Sequence, residues 1–350
     1  MTNLSENDIA FPKLGIDRIT IDSAAIKIGN FSIAWYGIII VFGMMLAIIF
    51  GMKQMKKFGL PSDRAFDGIL GGIIGGLIGA RLYFVLMNWD DYKGEPAQIF
   101  NIRQGGLAIY GGIIGALLVG LVICKIRKVK LLPMFDIVGM GFLIGQGIGR
   151  WGNFCNQEAF GCNTDLPWGM TGGRIQAWIT AQHSLGNLGD VSAEELVHPC
   201  FLYESLWCLL GFLVIFLISK HRKYDGQLFL LYVFWYGLGR AFIEGLRTDS
   251  LMAGNIRVSQ MLAIVSALFA FILLIVMGSK VKRLGPDYVF YKDTEESKNL
   301  IREEEENEEN SKKKKKSKKE NKTETAETEK TEESKSETDT EEKTEENKAE

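Results

Sequence analysis

Cysteine is sparse in this 350-residue chain, and the five present, Cys124, Cys155, Cys162, Cys200 and Cys208, fall at no metal-ligand spacing. Zinc-ribbon and zinc-finger classes are thereby excluded. Cys155 and Cys162 fall on the side expected to be extracytoplasmic, where a disulfide between them stays open. A cleavable leader is not expected either: residues 1–30 hold neither a basic start followed by an apolar core nor a small-residue cleavage site. The first apolar run is therefore expected to remain in the protein. Net charge is almost absent, at −2, and nothing in it asks for nucleic acid as a partner.

That balance hides two regions of opposite sign. From Lys292 to Glu350 there are 22 acidic and 15 basic side chains, and Ile301 is the last strongly apolar residue other than alanine. Such a segment cannot bury enough surface to offset its chain entropy, so residues 281–350 are expected to be a charged, disordered tail. The lysine run from Lys312 to Lys316 reads as a solvated spacer, with contact to anionic lipid as the alternative. Residues 1–291 carry +5 and nearly all of the apolar content.

Seven apolar runs of roughly membrane-spanning length follow one another, at about 31–51, 65–88, 107–124, 133–149, 199–219, 227–244 and 257–278. Alternate loops differ in charge. One set holds Lys53, Lys56, Lys57 and Arg64, then Lys125, Arg127, Lys128 and Lys130, then Lys220, Arg222 and Lys223, then Lys280, Lys282 and Arg283. The other set holds only Lys93, Arg103, Arg150, Arg174, Arg247 and Arg257. By the positive-inside rule the N-terminus lies outside and the tail in the cytoplasm. The expected fold is all-α: a polytopic membrane protein of seven transmembrane helices over residues 31–280. Residues 1–30 form an extracytoplasmic N-terminal segment, and a small extracytoplasmic head spans about 150–197. Within the second run Gly71, Gly75 and Gly79 recur every four residues, which suits close helix packing in lipid.

The most informative stretch is GRWGNFCNQEAFG, Gly149 to Gly161, directly after the fourth run. An ionisable side chain near hydrocarbon costs ~2.5–3.5 kcal/mol, so Arg150 and Glu158 are expected to face a polar cavity or an anionic ligand. Four more clusters lie at helix ends expected to face the same compartment. Tyr36 stands at the start of the first run, either in an interfacial aromatic belt or on a substrate. Arg81 lies inside the end of the second, and Tyr110 follows the paired glycines of RQGGLAIYGG, Arg103 to Gly112. HPCFLYES carries His198 at the mouth of a helix and Glu204 inside it. In YGLGRAFIEGLR, Tyr236, Arg240, Glu244 and Arg247 share one helix face. Arg240 and Glu244 could simply pair with each other. The alternative is that Arg81, Arg150 and Arg240 surround one anion, for which the guanidinium fork suits phosphate. Membrane, outer leaflet and phosphate together point to a phospholipid head group. An enzyme, a phospholipid transporter or scramblase, and a scaffold all remain open on these grounds.

GRWGNFCNQEAFG resembles the signature of the prolipoprotein diacylglyceryl transferase family, close to GRxGNFxNxE followed by glycine. Arg150, Gly152, Asn153, Asn156, Glu158 and Gly161 match it. WYG at Trp35, GARLYF at Gly79, GGLAIYGG at Gly105, HPCFLYE at His198, YGLGRAFIEGLR at Tyr236 and RVSQML at Arg257 resemble that family in the same order. The resemblance implies a bacterial plasma-membrane enzyme that moves the diacylglyceryl group of phosphatidylglycerol to the lipobox cysteine of a prolipoprotein signal peptide. Glycerol phosphate is released, and no metal or cofactor is implied. It further implies that Arg150 and Arg240 serve the phosphate, with Asn153, Asn156 and Glu158 orienting the glycerol portion. Tyr110 departs from the pattern, since many relatives have histidine there as the obvious general base. Tyrosine, with an ordinary pKa of ~10, is a poor substitute; His198, Glu244 or the arginine field alone are the other candidates.

Overall fold

Long apolar runs without an internal breaker form helices, because lipid leaves no other partner for the backbone. In the computed structural model, residues 4–29, 31–101, 105–186, 191–250, 252–254, 256–311 and 313 are described. Arg103 and most of the lysine run lie outside these. The helices are α1 (Trp35–Met55), α2 (Ser62–Met87), the short α3 (Trp89–Tyr92), α4 (Ile109–Ile126) and α5 (Leu131–Asn156). They continue with α6 (Gly173–Ser184), α7 (Cys200–Ser219), α8 (Gln227–Leu246) and α9 (Val258–Leu284). Among the described residues six helices, α1, α2, α4, α5, α7 and the one beginning at Val258, are long and apolar enough to cross a membrane. The sixth expected run, 227–244, forms α8, 20 residues long, but it carries Arg240 and Glu244 and is not among the six. Half of the apolar window of α5 is buried, against 11% in α1 and α4, so α5 is the central helix.

The expectation of an all-α chain is corrected at the end of the molecule that bears the signature. There β1 (Asp8–Phe11) pairs antiparallel with β2 (Ile16–Thr20), and the pair is followed by a hairpin of β3 (Ala24–Ile28) and β4 (Phe31–Ala34). The short β5 (Thr171–Gly172) adds to β1, with Ile9 opposite Gly172, and β6 (Met252–Ala253) pairs with β7 (Ile256–Arg257). Ile9, Phe11, Phe160, Met170, Ile175, Ile179, Val197 and Phe201 close a small apolar core here. The N-terminal residues are thus built into the head as strands; the local signal for them is the alternation in Ala24–Ile28.

Helix α5 also runs two turns beyond the expected 149. Arg150 ends the apolar window, but nothing before Asn156 breaks the helix. It stops where Gln157 adopts φ 57°, in the left-handed region.

Glycines bring α2 and α4 to backbone contact. A Cβ on Gly79 would sit 2.4 Å from the Gly111 carbonyl, and one on Gly115 would sit 2.2 Å from the Gly75 carbonyl. The opposite, basic end is closed by polar capping. Asp136 of α5 accepts from the amides of Gly226 and Phe229 at 2.8 and 2.9 Å, capping α8. Asp225 accepts the Tyr291 amide at 2.8 Å, and Arg222 stacks 3.9 Å over Phe58 while pairing with Asp225. Tyr291 is thereby buried among Met55, Phe58 and their neighbours. The chain divides into two compact units, Met1–Thr294 and Glu295–Glu350. In the second, residues 295–311 are helical, which corrects the expectation of disorder for that stretch; its glutamate-rich sequence is that of a good helix former.

Candidate active site

Three helices are locked in register before any functional side chain is placed. Trp207 of α7 and Trp235 of α8 stack at 4.6 Å, and each indole N–H donates to the other's carbonyl at 2.9 Å. Gly211 and Gly239 make room for them, since a Cβ would meet the opposing indole nitrogen at 2.4 and 2.1 Å. Ser205 Oγ donates to the Gly147 carbonyl at 2.7 Å, fixing α7 on α5. This clasp sets Glu204 between Arg150 and Arg240.

Glu204 is 2% exposed. Arg150 Nη2 donates to its Oε1 at 2.5 Å, and Arg240 Nη1 donates to its Oε2 at 3.0 Å. Tyr236 Oη lies 3.4 Å from Oε1. Arg240 Nη2 also contacts Glu244 Oε2 at 2.6 Å, so the i, i+4 pair exists together with the wider cluster. From Arg150 the network continues: Nη1 donates to Asn153 Oδ1 at 3.3 Å, Asn153 Nδ2 to Glu158 Oε2 at 3.4 Å, and Asn156 Nδ2 to Glu158 Oε1 at 3.1 Å. The structure therefore joins Glu244, Arg240, Glu204, Tyr236, Arg150, Asn153, Glu158 and Asn156. Burial strengthens each of these charge pairs relative to water.

Tyr36 packs on the same segment: a Cβ on Gly152 would fall 2.7 Å from Tyr36 Cδ2, so only glycine admits the ring. Gly161 is equally enclosed, with His198 Cβ, Cys200 Sγ and the Leu246 carbonyl all within 2.9 Å of where its Cβ would be. Its amide donates to the His198 carbonyl at 2.9 Å, and Cys162 N donates to Leu246 O at 2.8 Å, tying the signature to the end of α8. Arg247 makes a two-pronged contact with Asp249 at 2.8 and 2.7 Å. Arg257 caps the same helix end through Glu244 O at 2.7 Å.

Arg81 is engaged elsewhere. Its guanidinium donates to the carbonyls of Ile99, Gly105, Gly106 and Gln98 at 2.7, 3.2, 2.9 and 2.6 Å, clamping the loop before α4. Gly105 and Gly106 both hold positive φ, which produces the bend that leads to Tyr110, itself 42% exposed at the start of α4. His198 is held by a relay absent from the sequence reading. Trp168 Nε1 donates to Tyr203 Oη at 2.7 Å, so the Tyr203 hydrogen is free to face His198 Nδ1 at 3.1 Å. Burial lowers the His198 pKa, which favours the neutral ring.

Trp168, Tyr203, Asp249 and Gln157 are the residues that sequence reasoning missed. Gln157 Nε2 donates to Glu6 O and its Oε1 accepts from the Arg174 amide, stitching the signature to the turn before β1 and to α6. Its position inside the signature was the available clue. All five cysteines are free thiols. Among the described residues no group of three or more histidine, cysteine, aspartate or glutamate side chains is placed to hold a metal ion. A cavity of about 640 Å³ in the head is lined by Lys13, Asp17, Asn163, Asp165 and Glu194, among others, and by none of the expected site residues.

Fold and site together define a multi-pass membrane protein that gathers paired arginines and carboxylates at one end of its helices. Residues 23–276 match the family described as prolipoprotein diacylglyceryl transferase. The phosphatidylglycerol–prolipoprotein diacylglyceryl transferase of Limosilactobacillus reuteri (strain DSM 20016) is 42% identical over 266 residues, covering 75% of this chain and 94% of the relative. Proteins of the same name from Bacillus cereus (strain G9842) and Bacillus anthracis (strain A0248) are each 39% identical, covering 75% of this chain and 96% of theirs. The chain belongs to the prolipoprotein diacylglyceryl transferase family.

Proposed function

We propose that this protein transfers the diacylglyceryl group of phosphatidylglycerol to the lipobox cysteine of prolipoproteins, the first step of lipoprotein maturation. The cysteine gives up its thiol proton, its sulfur forms a bond to the glyceryl carbon, the carbon–oxygen bond to phosphate breaks, and the electron pair leaves with glycerol phosphate, which takes up the proton or passes it to water. The observation that carries this reading is the meeting of Arg150, on the signature, with Arg240 at one buried point. The phosphate requires cationic support as its charge grows, and two guanidinium groups from different helices supply it. Asn153, Asn156 and Glu158 form a polar rim beside Arg150 that suits the hydroxyls of the glycerol head. Tyr36, Gly161 and Arg247 shape that rim.

The thiol, of ordinary pKa ~8.5, needs a base or a positive field. His198 is poorly suited as the base, because its Nδ1 faces Tyr203 and burial lowers its pKa. Glu244 is 1% exposed and held by Arg240. Tyr110, exposed at the loop that Arg81 clamps, and the arginine field are left to favour thiolate.

Strand and loop pairings support seven crossings with the strand-bearing head outside. β1 pairs with β5 across four apolar helices, so both lie on one side. Cys162 bonds to Leu246 across α7 and α8, and Asp225 bonds to Tyr291 across α8 and α9. Each closure needs an even number of crossings, which α8 supplies as the seventh span. The basic loops then face the cytoplasm.

The test is a mass measurement on a lipobox peptide incubated with purified protein and phosphatidylglycerol in detergent, with Arg150→Ala as control. A diacylglyceryl mass on the cysteine, absent in the control, is expected. No shift with folded wild-type protein would overturn the reading.

A further inference from the structure

Glu204, 2% exposed, is the charge on which the network converges. Its two oxygens each meet a different guanidinium, Oε1 that of Arg150 and Oε2 that of Arg240. That is the geometry two non-bridging oxygens of a phosphate would adopt toward the same pair. Glu204 itself cannot withdraw: the neighbouring Ser205 is bonded to Gly147, and Trp207 is clasped to Trp235. The arginine side chains, 19% and 16% exposed, are the longer and more accessible partners. Arg240 is shared with Glu244, so Glu204 and Glu244 together face the two arginines.

We propose that Glu204 is the resident anion of the site, occupying Arg150 and Arg240 when it is empty, yielding them to the substrate phosphate and recapturing them as the product leaves. The proposal rests on the reading above that these arginines receive the lipid phosphate. It explains turnover in charge terms. The substrate is a phosphate diester with one negative charge, whereas the product is a monoester carrying about −1.5 to −2 near neutral pH. A fixed carboxylate behind the arginines repels the second more than the first, and competes for the same donors. Glu204 is thus a positioning residue that acts through the arginines and does not touch the reacting atoms.

The experiment uses the full chain in detergent, with inorganic phosphate as the probe. Glu204→Gln keeps the shape and removes the charge; it should bind phosphate about tenfold tighter, a gain of ~1.4 kcal/mol. Its kcat and KM for phosphatidylglycerol should fall together, because release is slowed. Glu204→Asp retains the charge and should keep phosphate affinity within about threefold of wild type. A merely structural role would lower kcat without tightening phosphate, so unchanged or weaker phosphate affinity in folded Glu204→Gln overturns the proposal. In wild type, methyl phosphate should bind no tighter than dimethyl phosphate. The reverse order would overturn the proposal without recourse to any variant. Arg150→Ala separates the two ideas: phosphate binding that survives this substitution sinks the arginine reading. Binding lost there but unaltered in Glu204→Gln sinks only the resident anion.

Discussion

Gly112 and Gly115 lie in the same helix, one turn apart, yet substitution by alanine should have opposite consequences. A Cβ at Gly115 would stand 2.2 Å from the Gly75 carbonyl oxygen and 2.9 Å from Gly79 Cα, both main-chain atoms that cannot swing aside. Relief requires α2 and α4 to part by roughly 1 Å, and a gap of that size forfeits a quarter to a half of each affected contact. Some tens of atom pairs at ~0.1–0.2 kcal/mol apiece then lose about 1–3 kcal/mol in total. A Cβ at Gly112 would meet Ala80 Cβ at 3.5 Å and Gly76 O at 3.6 Å, which is ordinary contact. Alanine there keeps the interface and adds helix preference worth up to ~1 kcal/mol. Thermal unfolding of the purified protein in detergent should show Gly115→Ala clearly less stable than wild type and Gly112→Ala equal or better. Equal stabilities for the two variants would refute backbone contact as the basis of this interface.

Gly152→Ala should push the Tyr36 ring off the signature and lower transferase turnover by about tenfold or more with the protein still folded; unchanged kcat/KM would show that Tyr36 has no part in the site. Hydrogen bonds from Thr20 and Ser5 hold the Asp8 carboxyl below its ordinary 3.8. Its stabilising effect is therefore present above that pH and lost as pH falls through the lower folded value. Asp8→Asn should flatten the acid limb of the stability curve, and parallel acid limbs for variant and wild type would contradict it. Truncation after Thr294 should leave activity and stability intact. Ending the chain at Gly285 removes the Tyr288 and Tyr291 contacts to Asp225 and should lower the unfolding temperature by several degrees; activity and melting curves of the two truncations check this.

The membrane helices were legible because lipid demands long apolar runs, and every expected run contains a helix. Helix α8 shows the limit of that signal, since the groups that matter to the site, Arg240 and Glu244, are the ones that reduce its apolar character. The end of α5 was misread for the same reason: Arg150 closes a hydropathy window without closing a helix. Arg150, Arg240, Glu204 and Glu244 could be named from spacing, but their convergence on one carboxylate depends on the tryptophan clasp. No local pattern encodes that. Arg81 shows the converse, a buried arginine whose partners are main-chain carbonyls and thus have no sequence signature. The β1–β5 pairing was missed because β1 finds its second neighbour some 160 residues downstream, beyond the reach of any local periodicity.

Strand β1 also has a history during synthesis. Asp8–Phe11 is complete before α1 leaves the ribosome, whereas Thr171–Gly172, its outer neighbour, emerges only after α5. At ~5–20 residues per second that interval is on the order of 10–30 s. Throughout it Ile9 and Phe11, which end up covered by Met170, Ile175 and Ile179, have no lid. The nascent N-terminal strand therefore waits, with an open edge, for the other half of its sheet to be made. Conditions that slow elongation between α1 and β5 prolong that exposure without altering a single contact of the finished protein.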